Sequence, residues 1–257
     1  MSKPHWATSG LSLAILVSFA DSWAEAQRYY SGLEWQQPPV VDPGPPGGPP
    51  SDAIVLFGGK DLSAWENAER WKVEDGVMIN GGGSIRTKQS FGDFQLHAEW
   101  MVPPMPNRSG QGRGNSGFYI MGLYEVQILD SYENETYFDG QAGAVYKQTP
   151  PLVNSMRPPN EWNTYDLVFT APRFNEDGTV KSPAYITLLH NGVLVQNHTE
   201  LVGGTRSNRI PKYRPHAEKL PIFIQDHGSP IRFRNMWIRE IKPLESKRVH
   251  EPELRNR

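Results

Sequence analysis

Cysteine is absent from all 257 residues, which excludes a disulfide framework, a thiolate nucleophile and any cysteine-based zinc site. A surplus of positive charge is missing as well. The 26 Lys and Arg stand against 28 Asp and Glu and form no run along the chain, so clustered contacts to nucleic-acid phosphates are not expected. Nor is there an apolar run suited to a permanent membrane span: residues 11–20 (LSLAILVSFA) fall well short of the roughly 20 residues a spanning helix needs. That run follows Lys3 and His5 and precedes Ala24-Glu25-Ala26, a small-x-small cleavage pattern. Residues 1–26 therefore read as a signal peptide, and the mature chain as periplasmic or secreted without a transmembrane segment. Helical periodicity is lacking throughout.

What the chain does contain is turn chemistry and enough apolar residues for a core. Glycine (24) and proline (23) together exceed the average usage of about 7% and 5%. A content of 37% hydrophobic and 11% aromatic residues supports one domain of sandwich size. Residues 27–51, ending in QQPPVVDPGPPGGPPS, read as a Pro/Gly-rich linker too poor in packing groups to fold. The folded domain is expected over 52–243, and residues 244–257 as a charged, mobile tail. Asp75-Gly76 and Asn191-Gly192 each separate two short apolar runs and predict two-residue hairpins. Further strands are expected at 94–101, 116–121, 124–129, 144–146, 162–170, 221–225 and 231–241. Many short strands without helices predict an all-β sandwich or barrel.

The segment 124–130 (YEVQILD) carries the clearest chemical signal. In a strand, Glu125 and Gln127 point one way while Val126 and Ile128 point the other. A carboxylate and an amide on one face either meet solvent, join an ion-pair network, or serve a ligand, because an unpaired buried charge is costly. A bulge after Gln127 would bring Asp130 onto the same face. Upstream, Asn115 and Ser116 lie in a Gly-bracketed turn and offer donors and acceptors suited to hydroxyl groups, although turn chemistry alone accounts for such a sequence. Downstream, Gln225 and His227 share one side at a strand end, and Arg234 follows on an alternating strand. Histidine suits general acid or base work, and arginine the steadying of an oxyanion, set against a plain polar strand end and a charge-protected edge strand. Trp65, Trp71, Trp100, Trp162 and Trp237 read mainly as core, while Tyr132, Tyr137 and Phe138 read as rim aromatics.

In order along the chain, LFGGKDLSAW (56–65), WKVEDGVM (71–78), FGDFQLHAEW (91–100), GNSGFYI (114–120), YEVQILD (124–130), GAVY (143–146), EWNTYDL (161–167), IQDHG (224–228) and FRNMWIRE (233–240) resemble the 3-keto-disaccharide hydrolase family. The resemblance covers nearly all of 52–241. It implies a concanavalin-like jelly-roll β-sandwich of two antiparallel sheets and cleavage of glycosides already oxidised at C3. It points to Glu125, Gln127, Asp130, Asn115, Ser116, His227 and Arg234 as site positions; joined by Gln225 from the strand pattern, they are expected to divide into catalytic Glu125, Asp130 and His227 and substrate-binding Asn115, Ser116, Gln127, Gln225 and Arg234. The expected roles are Glu125 or His227 as base, Asp130 as leaving-group acid or holder of a divalent cation, and Arg234 with Asn115 steadying an enolate. Residues 103–113 (PPMPNRSGQGR) depart from the family pattern in length and Pro/Gly content. Two other readings fit the same residues: a conventional glucan hydrolase with a carboxylate pair, and a non-catalytic lectin-like module.

Overall fold

A computed structural model describes residues 27–255, so the expected signal peptide at 1–26 lies outside the described residues. Among them there is no α-helix, and therefore none long and apolar enough to cross a membrane. The protein is an all-β jelly-roll sandwich of two antiparallel sheets. The smaller sheet has five strands in the order Tyr124–Ile128, Ser116–Ile120, Phe223–Ile224, Ile85–Thr87, Trp65–Glu66. The larger has eight, running Val193–Glu200, Tyr185–His190, Asn163–Thr170, Phe94–Met101, Arg232–Glu240, Val77–Ile79, Lys72–Glu74, with Ile54–Phe57 also paired to Arg232–Glu240.

Strand alternation builds the core between them. Phe118, Val126, Ile85 and Ile224 face inward from the smaller sheet, and Leu96, Trp100, Leu167 and Phe233 are buried on the larger. Phe118 joins the two, with its ring centroid 6.0 Å from Phe233 and 6.5 Å from Tyr165. The Tyr165 hydroxyl donates to the Gln127 carbonyl at 2.7 Å, so a polar bond crosses the same interior. Each such aromatic contributes about 1.5–3 kcal/mol by leaving water, and this core holds the fold without any covalent bridge.

Both predicted hairpins form, with φ of 50° and 75° at Asp75 and Gly76 and of 55° and 76° at Asn191 and Gly192, the left-handed pair that a two-residue turn requires. Three expectations are corrected. Residues 144–146 form no strand, Val145 making only isolated bridges to Val126 and Thr149. The Pro/Gly stretch is not a free spacer: residues 39–243 form one compact unit, in which the Gly47 carbonyl accepts from Asn235 Nδ2 at 2.7 Å and from Trp237 Nε1 at 3.3 Å. Prolines that cannot join a ladder can still lie flat on an aromatic surface. The charged tail is likewise ordered. In a second unit, Ser246–Arg248 pairs with Leu33–Trp35 and Glu253–Arg255 with Arg28–Tyr30.

Candidate active site

The outward face of the smaller sheet follows from its register. Glu125 stands opposite Tyr119, Gln127 opposite Gly117, and Tyr119 opposite Phe223 on its other side. Glu125, Gly117, Tyr119, Phe223 and Gln225 therefore share one face, and Val126, Phe118 and Ile224 the core face. Gly117 makes this arrangement possible, since a Cβ there would stand 2.8 Å from Glu125 Oε1 and 3.4 Å from its Cδ. The carboxylate lies across the missing side chain.

Glu125 is 3% exposed and forms no ion pair among the described residues. Burial is the main reason its pKa rises to about 7, and a hydrogen bond from Tyr119 works the other way. Tyr119 is held protonated well above the usual phenol range, first by burial and then by the Glu125 charge, with Arg206 opposing. Tyr146 joins the group: its backbone N–H donates to the Glu125 carbonyl at 3.0 Å and its hydroxyl lies 2.6 Å from that of Tyr137. Tyr137 carries the Lys147 ammonium 3.1 Å from its ring centroid. From the other flank, Thr205 Oγ1 accepts from the Glu125 backbone N–H at 2.9 Å. One of the two orientations of the Gln127 amide donates to Glu125 Oε1 at 3.2 Å. The result is a single titrating carboxylate among phenols, with a depression of about 220 Å³ lined by Tyr119, Phe223, Gln225, Ser84 and Gly122 next to it.

Not every expected residue reaches this place. Asp130 does not, because the pairing of 124–128 runs without a bulge and leaves it wholly buried, with Oδ2 2.9 Å from Arg113 Nε. Burial raises its pKa, and the neighbouring Arg113 charge opposes the shift without overcoming it. Arg234 belongs to the other sheet, where its Nε donates to Glu99 Oε2 at 2.6 Å and its guanidinium covers the Trp162 ring at 4.1 Å. Ser116 alternates into the interior and donates to the Gln225 carbonyl at 2.7 Å. Asn115 is buried and spends its amide on the Gln111 carbonyl at 2.8 Å. Both side chains thus bond within the fold. Gln225 stays with the site, its Nε2 3.5 Å from the Tyr119 hydroxyl, and His227 is exposed two residues further on. Among the described residues, no three His, Asp or Glu gather as metal ligands, so Asp130 has no assembled donor set with which to hold a divalent cation. Tyr119 and Tyr146 were not singled out from sequence, although Tyr119 shares the parity of Gly117 in GNSGFYI and was open to the same argument as Glu125.

A jelly-roll sandwich bearing a buried carboxylate on one sheet face defines the structural class. Within it, the chain belongs to the 3-keto-alpha-glucoside-1,2-lyase-like family, whose model matches residues 52–239. It is similar to a protein of Parabacteroides distasonis ATCC 8503 provisionally named a glycosyl hydrolase, at 50% identity, with a TM-score of 0.77 over 80% of this chain and 93% of that one. A second protein of that organism, under the same provisional name, has 24% identity and a TM-score of 0.54 over 74% of this chain and 94% of its own, a likeness of fold alone. Comparison with curated proteins gives no match.

Proposed function

We propose that this protein cleaves the glycosidic bond of 3-keto-glycosides by elimination, with Glu125 as the base. A keto group at C3 acidifies the C2 hydrogen. Glu125 removes that proton, the C–H electron pair forms an enolate with C3, and collapse of the enolate expels the aglycone oxygen from C1 while the C1–C2 double bond forms. Water then adds across that bond. The observation that carries this reading is the Glu125 carboxylate itself: shielded, paired with no cation among the described residues, and poised near neutrality, which is where proton abstraction from carbon is served best. Tyr119 holds the carboxylate in place, and Gln225 lines the depression beside it. His227, exposed two residues beyond Gln225 at the strand end, serves in this scheme to protonate the departing oxygen.

The family name and the name of the 50% identical relative both support glycoside chemistry. A paired-carboxylate glucan hydrolase fits less well, because the second carboxylate, Asp130, is already neutralised by Arg113. The test is turnover of a 3-keto-disaccharide by the wild type and by Glu125→Gln, with the unsaturated keto product followed spectroscopically. Loss of a general base is expected to cost about 10²–10⁴-fold in kcat. Undiminished turnover in Glu125→Gln would remove it from the chemistry, and cleavage of the unoxidised disaccharide at equal rate would remove the elimination.

A further inference from the structure

Between Leu201 and Phe223 the chain runs without a strand, longer than the roughly 12–15 residues at which a structureless loop is usually functional. This loop is built and pinned. Gly203 takes a φ of +133° where a Cβ would meet the Lys212 backbone at 2.4 Å, and the Gly204 N–H donates to the Lys212 carbonyl at 3.3 Å. The Thr205 N–H donates to the Leu123 carbonyl at 2.8 Å, and the Tyr213 hydroxyl donates to the Leu201 carbonyl at 2.6 Å. The segment 203–214 (GGTRSNRIPKYR) contains four cations and no carboxylate, in a chain of net charge −2.

All four of those cations, Arg206, Arg209, Lys212 and Arg214, line one pocket of about 380 Å³ against Leu123 and Tyr124. No carboxylate lines it, and none of the four takes part in an ion pair among the described residues. Four like charges brought together without counter-charge repel one another, and a cleft lined by one sign concentrates ions of the other. The volume falls within the range of about 300–1,000 Å³ typical of small-ligand sites. Its apolar wall suits the face of a sugar ring, and guanidinium groups bind carboxylate or sulfate oxygens in pairs. It also adjoins the candidate base: Leu123 and Tyr124 immediately precede Glu125, and Thr205, which holds the Glu125 N–H, immediately precedes Arg206.

We infer that this basic pocket is a subsite for a negatively charged group carried by the saccharide, a uronate carboxylate or a sulfate ester, lying next to the sugar that Glu125 attacks. The inference rests on the reading of the Glu125 face as a glycoside site and names its substrate class. A nucleic acid is a poorer fit, since a high-affinity phosphate track engages about 6–10 phosphates and this is one concave pocket.

The experiment measures binding, so it stands apart from turnover. Titration calorimetry compares a neutral disaccharide, a uronate-bearing disaccharide and a sulfated disaccharide, all unoxidised, on the wild type and on Arg209→Ala/Arg214→Ala. Both exposed arginines can be removed without touching the Glu125 cluster, and an unchanged melting temperature checks the fold. At least one acidic disaccharide is expected to bind ten-fold or more tightly than the neutral one, with the preference falling as salt rises and disappearing in the double variant. Which acidic probe shows the preference distinguishes carboxylate from sulfate. Equal affinity for all three, no binding of any, or a preference that survives in the variant overturns the inference. So does tighter binding of a short DNA duplex that displaces the acidic sugar. An acidic preference lost in the variant upholds the subsite even if no 3-keto-disaccharide is cleaved, and cleavage without that preference upholds the lyase reading alone.

Discussion

At Glu125 the same burial sets reactivity and stability in opposite directions. A carboxyl whose folded pKa is about 7 rather than 4.5 binds its proton more tightly in the folded state. Between about pH 4.5 and pH 7 the native chain therefore holds a proton that the unfolded chain has lost, and stability falls as pH rises through this window. Over the whole window the cost is on the order of 3 kcal/mol. Urea denaturation from pH 4.5 to 8 should show that decline, and Glu125→Gln should remove it while becoming the more stable protein above pH 7. Activity runs the other way: kcat/KM on a 3-keto-disaccharide should climb with an apparent pKa near 7 as the base ionises, and a profile flat from pH 5 to 8 would count against Glu125 as base. Arg113 makes a contrasting case. Arg113→Ala strands the buried Asp130 charge and is expected to cost about 3–5 kcal/mol in unfolding free energy. Its folded fraction should retain kcat, because with Glu125 as base this buried pair takes no part in the chemistry.

Strands were legible from sequence wherever two periodicities agreed. Residues 94–101 and the two hairpins were found because alternation and turn residues pointed the same way, and Glu125 with Gln127 because polar groups on a strand face call for a reason. What alternation cannot report is which sheet a strand joins. Arg234 looked like a partner of Glu125 on pattern alone, yet its strand pairs with Phe94–Met101 in the larger sheet. The Pro/Gly stretch is a related case: composition says that it forms no ladder, and not that nothing lies beneath it. His97 and Trp237 stack with ring centroids 5.3 Å apart on the outer face of the larger sheet, and eight of residues 41–50 line the same hollow. Replacing residues 43–50 with an equal length of Gly and Ser uncovers those rings and loosens the unfolded chain. An expected loss of about 1–3 kcal/mol should appear by calorimetry as a fall in Tm of roughly 2–4 °C per kcal/mol. Turnover should be unchanged, since Glu125 stands on the smaller sheet.

Charge illustrates what only the whole molecule shows. A net charge of −2 with dispersed basic residues predicted no concentrated field, but one twelve-residue loop folds its four cations into a single pocket. Chain organisation is the other case. The family match at 52–239 falls wholly inside the compact unit 39–243, which contains both sheets, the Glu125 cluster and the basic pocket. The second unit comprises, among the described residues, 27–38 and 244–255, and its two ladders pair residues 28–35 with residues 246–255. Each of those ladders is three residues long, and two short strands give little independent stability in water. Their removal therefore takes no core residue and no site residue with it. A protein trimmed to residues 39–243 should keep kcat/KM on a 3-keto-disaccharide within about two-fold, and should lose less than about 1 kcal/mol of unfolding free energy, within the range of surface changes that touch no core group. A larger loss of stability by calorimetry, or failure to fold, would mean that the terminal ladders support the sandwich after all.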